Sequence, residues 1–303
     1  MIISVSRRTD IPAFFGEWFM NRIKAGYFYS VNPFNPKQVK KISLKPEDVD
    51  VFVFWTKNPK PFIKYLEPLN KKGYQYYFQI TLNDYPKVFE PNVPPVHERI
   101  ETFQELSRKI GKNKVIWRYD PIIVSNITPI EYHLEKVEKI AGQLKGYTCR
   151  LTISFLDFYG KVDKRLRKLE ERYGIVLKDI TTEEYQKDII HLSTHLSEIA
   201  KKNGMEIQTC AEKLNLDSWG IQHGSCIDDQ FIQSVFQMDK KFKKDKNQRK
   251  ECQCVASIDM GIYNTCRFQC SYCYANYSET SISNRLKKHH PSYPTLISIT
   301  YMA

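Results

Sequence analysis

Cys266, Cys270 and Cys273 lie in the run CRFQCSYCYAN, in a C-x3-C-x2-C spacing with Tyr272 just before the last thiol. Three closely spaced thiolates can hold three corners of a [4Fe-4S] cluster and leave one iron open. An open iron binds and reduces a small molecule, so three thiols without a fourth point to chemistry rather than electron storage. Cys252 and Cys254 form a C-x-C pair upstream, with Cys210 and Cys226 farther back. These four can complete an all-thiolate site, either a second iron–sulfur cluster or a structural zinc, or they can remain unliganded buried thiols. Cys210 ends an apolar run while Cys252 and Cys254 precede one, so the segment between them must bend to bring the four together. Cys149 reads as a core thiol.

The chain of 303 residues can bury a large core, as one large domain or two small ones. Hydrophobic residues make up 42% and no apolar run reaches membrane-spanning length, which predicts a soluble protein with no membrane partner. The start, MIISVSRRTDIP, lacks the layout of a secretory signal, so a cytoplasmic protein is expected, with cysteines held as reduced thiols or metal ligands rather than disulfides. Net charge is +12, with Lys and Arg concentrated in 161–172 and 240–250. Such an excess favours anionic partners such as nucleic acid or phosphorylated metabolites. Neither run interleaves aromatics as a base-stacking surface does, and each is equally well read as a solvated face.

Short apolar, β-rich runs alternate with amphipathic helical patterns. Strands are predicted over 2–6, 51–55, 76–82, 115–119, 150–156 and 206–210, with a last one over 255–260, and their near-continuous apolar character suits strands covered on both faces. Helices are predicted from about Pro12 with Asp10 as cap, over 61–69, over 95–110, and after the capping boxes Thr128-x-x-Glu131 and Thr181-x-x-Glu184. Repeated strand–helix units argue for a parallel α/β sheet, as a barrel or an open doubly wound sheet, with chemistry at the C-terminal strand ends. The residues there are polar: SRRTD, TKN, TLND and RYDP. The expected organisation is a (β/α) core over 1–210, an irregular cysteine-containing insertion over 211–254, and the final strand, cluster loop and tail over 255–303.

The loop CRFQCSYCYAN resembles the cluster loop of radical S-adenosylmethionine (SAM) enzymes, and its tyrosines flanking the last cysteine are similar to the spore photoproduct lyase-like branch. SVSRRTDIPAF, VFVFWTKNPKPFIKYLEPL, QITLND, EPNVPPVHERIETFQEL and VIWRYDPII resemble later segments of that branch, in the same order if the chain is read cyclically. The whole chain is also similar to an uncharacterised bacterial family with radical-SAM-like cysteines at its C-terminus. The resemblance implies a circularly permuted (β/α) TIM-type barrel, partial or near-closed, with a C-terminal cluster-binding loop. The last strand should then pair beside residues 2–6.

The same resemblance implies an open-iron [4Fe-4S] cluster that binds SAM, an electron donor such as flavodoxin or ferredoxin, and a 5′-deoxyadenosyl radical acting on a substrate. It places Lys57 at the SAM carboxylate, Tyr272 and Tyr274 around the adenine and the cluster, and Thr9, Asp10 and Thr81 along the methionine or ribose. Glu90, Arg99 and Arg118 also match positions of the branch; Arg118 reads equally well as a structural partner of Asp120. The usual glycine-rich motif for the SAM amino group is replaced by SRRTD. The residue that returns a hydrogen atom to the substrate is not assigned. Two other readings are a non-enzymatic nucleic-acid binder stabilised by zinc or iron–sulfur, and a phosphate- or sugar-processing barrel using Asp10, Lys57 and Asp120.

Overall fold

A computed structural model of the chain describes residues 1–158, 160–249 and 251–298. Lys250 of the second basic run and the last five residues of the expected 255–303 segment lie outside the described residues. In chain order the strands are β1 (Ile2–Val5), β2 (Tyr27–Val31), β3 (Val39–Ser43), β4 (Val51–Thr56), β5 (Tyr76–Thr81), β6 (Val115–Ile122), β7 (Val124–Ser125), β8 (Arg150–Phe155), β9 (Leu177–Lys178), β10 (Glu206–Cys210), β11 (Gln222–Gly224) and β12 (Ile258–Asp259). The helices are α1 (Ile11–Phe14), α2 (Gly16–Ala25), α3 (Leu66–Lys71), α4 (Val96–Ile110), α5 (Ile130–Leu144), α6 (Gly160–Tyr173), α7 (Gln186–Lys202), α8 (Asp229–Phe236) and α9 (Glu279–Leu286).

Eight strands form a parallel sheet in the order β11-β10-β8-β6-β5-β4-β1-β12. The order has two ends, and among the described residues no ladder joins β11 to β12, so the sheet is open and not a closed TIM-type barrel. The edge strands are only three and two residues long, too short to supply the ladder that closure needs. The chain divides into two compact units, one of residues 1–79, 257–269 and 273–303, the other of 80–256 and 270–272.

In the first unit the apolar runs 2–5 and 51–54 are wholly buried, as expected of strands covered on both faces. Their core is aromatic: Phe54 stacks on Phe78 with ring centroids 4.6 Å apart, and Phe62 lies 4.8 Å and Phe19 5.4 Å from the same ring. Such pairs add directional contact to large burial. Asp10 caps α1 by accepting from Ala13 N at 2.9 Å, as the sequence predicts. Helix α2 ends at Gly26, whose φ of 75° is one that only glycine adopts freely. The antiparallel hairpin of β2 and β3 is absent from the sequence reading. The segment after α9 is pinned to α2, where Trp18 Nε1 donates to the carbonyls of Tyr293 and Thr295 and Arg22 donates to that of Ser292.

The expected adjacency of the last strand to the first is present, since β12 pairs in parallel with β1 through Ile3↔Ile258 and Ser4↔Asp259. One carboxylate locks the pairing. Asp259 accepts from Ser4 Oγ at 2.8 Å, Ser6 Oγ at 2.5 Å, Arg7 N at 2.9 Å and Gly261 N at 2.8 Å. Gly261 has to be glycine, because a Cβ there would stand 1.9 Å from Ser6 Oγ.

In the second unit, helices α4, α5 and α7 each bury an apolar stripe. Helix α6 covers the basic run 161–172, and it buries Val162, Leu166 and Leu169, so this run is an amphipathic helix rather than a charged patch alone. Neither capping box forms. Thr128 Oγ1 instead donates to the Ile123 carbonyl at 2.6 Å, and Thr181 Oγ1 donates to Asp179 at 2.6 Å, while the helices begin at Ile130 and Gln186. Each hydroxyl meets an acceptor in the preceding loop before it can reach the helix amides. The insertion over 211–254 contains β11 and α8, the latter capped by Asp228.

Hydrogen bonds to a charged acceptor contribute about 1.5–3 kcal/mol each where water is displaced. Asp259→Ala should therefore lower the stability measured by urea unfolding by at least about 2 kcal/mol. Gly261→Ala should destabilise by a comparable or larger amount, because its clash is with Ser6, which is itself held by Asp259.

Candidate functional site

In the first unit, the polar turns after β1 and β4 meet through Asp10. Its carboxylate accepts from Ala13 N through one oxygen and from Lys57 N at 2.7 Å through the other. Asp10 thus fixes the backbone from which the half-buried Lys57 side chain projects. Burial pushes the Asp10 carboxyl up to about 7, against the lowering effect of the Lys57 and Ala13 amides, Thr56 and the Lys57 charge. Next to it, Thr9 Oγ1 is buried and has no hydrogen-bond partner among the described residues. An orphaned buried hydroxyl beside polar turns is a group that a ligand can satisfy.

The cysteine loop is closed at its base within the same unit. Asn264 N donates to the Ala275 carbonyl at 2.9 Å, the Asn264 side chain accepts from Tyr277 N, and Asn276 Nδ2 donates to the Cys266 carbonyl at 3.0 Å. Ala275 N donates to Cys273 Sγ at 3.4 Å. Asn276 Oδ1 is another buried polar atom without a partner among the described residues. Tyr274 exposes its ring while its hydroxyl donates to the Arg7 carbonyl at 2.7 Å.

The tip of the loop, residues 270–272, belongs to the second unit. There Ser271 N donates to the Phe89 carbonyl at 3.0 Å, and the buried Tyr272 hydroxyl donates to Glu90. Burial first, and then the Glu90 charge, push the Tyr272 phenol well above its ordinary value, so it stays a protonated donor. Glu90 faces Arg99 at 3.9 Å, and Arg99 donates to the carbonyls of Asn83 and Pro94 and, at 3.5 Å, to that of Thr81. Thr81 is therefore beside this network through its backbone. Arg118 forms a paired contact with Asp120 through Nε at 2.9 Å and through Nη2. Its Nη1 donates to Cys226 Sγ at 3.1 Å.

Cys210 and Cys226 are joined to each other as a disulfide, with Cα atoms 6.1 Å apart, where the sequence reading expects reduced thiols or metal ligands. The cause is the parallel pairing of β10 with β11, in which Cys210 lies opposite Gly224, two residues before Cys226. Cys252, Cys254 and Cys270 are buried, while Cys266 and Cys273 are half-buried. Among the described residues no three His, Cys, Asp or Glu side chains form a group that could hold a metal ion as they stand. The donor chemistry at the C-terminal loop nonetheless fits a thiolate-bound cluster: three soft sulfurs, an amide directed at one of them, and unsatisfied polar atoms on Thr9 and Asn276 in the unit that holds Cys266 and Cys273.

One residue of chemical interest, Asp259, escapes the sequence reading, whereas Glu212 is legible as a polar residue at the end of the sixth predicted strand. Asp259 is signalled only as an acid in the otherwise apolar run VASIDM. Glu212 follows β10 and accepts from Phe155 N at 2.8 Å; burial, reinforced by Asp157, Asp120 and Asp179, pushes its carboxyl up to about 8. No described helix is long and apolar enough to cross a membrane.

The family described as "Domain of unknown function (DUF1848)" matches residues 2–275, and the chain belongs to it. No curated protein matches the chain.

Asp10 binds a proton in the fold up to about pH 7, whereas unfolded it ionises near 3.8. Its contribution to stability is full below about 4 and is lost as pH rises through 7. Urea unfolding across this range should show stability falling with pH. Asp10→Asn should flatten that slope by up to about 1.4 kcal/mol per pH unit and leave the part due to Glu212.

Proposed function

We propose that this protein is a radical SAM enzyme in which Cys266, Cys270 and Cys273 hold a [4Fe-4S] cluster with an open iron. The observation that carries the reading is the C-x3-C-x2-C run following a strand paired beside the first strand, which is the order the cyclic resemblance requires. When bound, such a cluster supplies the electron that splits SAM into methionine and a 5′-deoxyadenosyl radical.

The chain's own residues divide the remaining work. Lys57 offers its ammonium to the SAM carboxylate, a compact point charge suited to a carboxylate partner. Asp10 positions Lys57 through the backbone and, with both oxygens engaged, acts as a brace more than as a ligand contact. Thr9 offers its unpartnered hydroxyl to the methionine or ribose, and Asn276 offers its side-chain carbonyl to a donor on the cofactor. Tyr272 keeps its hydroxyl on Glu90 and contributes the ring, and Tyr274 contributes an exposed ring. The resemblance also assigns Thr81 and Arg118, and Arg118 is engaged as the partner of Asp120. A flavodoxin- or ferredoxin-like protein is the proposed electron donor.

The substrate we propose is anionic, with nucleic acid as the leading class. The support is the +12 net charge and the exposed Lys240, Lys241, Lys243, Lys244 and Lys246. The fold class we propose for this activity is a permuted, partial (β/α) barrel, and the proposed location is the cytoplasm.

Anaerobic reconstitution with iron and sulfide, followed by dithionite and SAM, should give 5′-deoxyadenosine. Cys270→Ala should abolish that product, a drop of more than about a thousandfold, while its unfolding curve in urea stays close to that of the parent. A fully loaded cluster that yields no 5′-deoxyadenosine would sink the proposal.

A further inference from the structure

The four cysteines of the second unit come from three separate stretches of chain that main-chain bonds tie to one another. Cys210 ends β10, and Cys226 follows β11, its strand partner. The C-x-C segment is brought against the same place by main-chain bonds on both sides. His223 Nε2 bonds to the Glu251 carbonyl at 2.8 Å, just before Cys252, and Val255 N donates to the Ile227 carbonyl at 3.0 Å, just after Cys254. Between these ties, Ile227 N donates to Cys254 Sγ at 3.4 Å, so the amide that follows Cys226 points at the sulfur of Cys254. Cys226, Cys252 and Cys254 are all buried.

We propose that Cys210, Cys226, Cys252 and Cys254, in their reduced form, make a four-thiolate metal centre that takes a single tetrahedral thiophilic ion or an iron–sulfur cluster. Four cysteine sulfurs are the donor set of such centres. The surroundings suit it. A set of four thiolates leaves net negative charge on the centre, and the Arg118 guanidinium already donates to Cys226 Sγ at 3.1 Å, with the Ile227 amide on Cys254. Among the described residues of 237–256 there is no helix or strand, and main-chain bonds such as Asp245 N to the Cys254 carbonyl at 2.9 Å hold the segment. A stretch with so little regular structure gains most from a cross-link.

In this arrangement Cys210 and Cys226 are joined as a disulfide, the oxidised form of two of the proposed ligands, and among the described residues no group of three side chains stands ready to hold a metal. A dithiol reductant returns them to thiols: the disulfide takes up two electrons and two protons, and the reductant becomes a disulfide. Metal binding then releases the thiol protons to solvent. The centre rests on second-unit residues alone and stands whether or not the radical reading does.

The test uses the whole chain carrying Cys266→Ala, Cys270→Ala and Cys273→Ala, so that the C-terminal loop offers no thiolates. Protein reduced anaerobically with a dithiol, then freed of it, is given cobalt(II) in one arm and ferrous iron with sulfide in the other. Retention of one cobalt per chain with thiolate-to-cobalt charge-transfer absorption, or of about four irons with a cluster spectrum, supports the proposal and tells the two occupants apart. Adding Cys252→Ser and Cys254→Ser should remove the metal in whichever arm held it. Retention unchanged by those two substitutions, or no metal held in either arm, overturns it. Should the substituted chains fail to fold, the unsubstituted protein gives the answer by alkylation mapped to each cysteine. Metal loading should slow modification of Cys210, Cys226, Cys252 and Cys254 together by at least about tenfold, and unchanged rates at these four overturn the proposal.

Discussion

Asp259 is the constraint on which the C-terminal third of the first unit depends. Strand β12 is two residues long, and a ladder of that length cannot by itself hold a late-arriving segment against β1. The carboxylate compensates by collecting four donors: two hydroxyls from β1 and its exit, the Arg7 amide, and the Gly261 amide of its own turn. Because Ser6 and Gly261 share one acceptor oxygen, the turn that leads into the cysteine loop is set by the turn that leaves β1. Arg7 reinforces this by donating to Ser257 Oγ at 3.2 Å, and Arg8 by reaching the Gly261 carbonyl at 3.5 Å. Ser6, Arg7 and Arg8 of the SRRTD segment are therefore occupied with holding the last strand and its turn, which accounts for their polarity without any ligand.

The network at the loop tip is of another kind. Glu90 and Arg99 are both buried, and taking two charges from water costs several kcal/mol that their attraction only partly offsets. What the arrangement supplies is direction. Arg99 is spent on main-chain carbonyls, so Glu90 is left facing the Tyr272 hydroxyl, and Ser271 is fixed through the Phe89 carbonyl. A phenol that stays protonated at every physiological pH is a dependable donor to that carboxylate. The ion pair thus specifies where residues 270–272 attach, at some expense of stability.

Most of the sheet was legible in the sequence because its strands are continuous apolar runs, and burial on both faces leaves no other pattern. The permuted pairing of β12 with β1 followed from reading strand-end motifs cyclically. Three kinds of feature were not legible. The β2–β3 hairpin alternates weakly and mixes lysines with tyrosines, so it carries neither a helical nor a strand period. The two capping boxes have the right residues at the right spacing, but Thr128 and Thr181 meet nearer acceptors, a competition that spacing does not encode. Whether the sheet curls into a barrel was not legible either, because the strand–helix repeat suits a barrel and an open sheet alike. The partial or near-closed barrel came from the resemblance, while the sheet is open. For the site, residue types were readable, as were the Asp10 cap and the Arg118–Asp120 pair, but the Asp10 bond to Lys57 N and the Tyr272 bond to Glu90 come only with the fold.

That employment separates scaffold from ligand-facing groups within a single turn. Asp10 is buried with both oxygens satisfied by main-chain amides, and burial holds it neutral up to about pH 7, so it is a poor counter-ion for a cationic ligand. Thr9, its neighbour in sequence, is equally buried and has an oxygen that nothing in the described chain satisfies. A buried hydroxyl without a partner costs roughly 1–3 kcal/mol, a cost that a ligand hydrogen bond removes. The same holds for Asn276 Oδ1, whose amide nitrogen is already fixed on the Cys266 carbonyl, so its carbonyl cannot turn to find another donor. If the radical reading is correct, the polar contacts to the cofactor in this unit come from the groups left unsatisfied and from the Lys57 ammonium. The residues already bonded would then do the positioning, and Asp10 and Asp259 would matter to chemistry only through the backbone they hold.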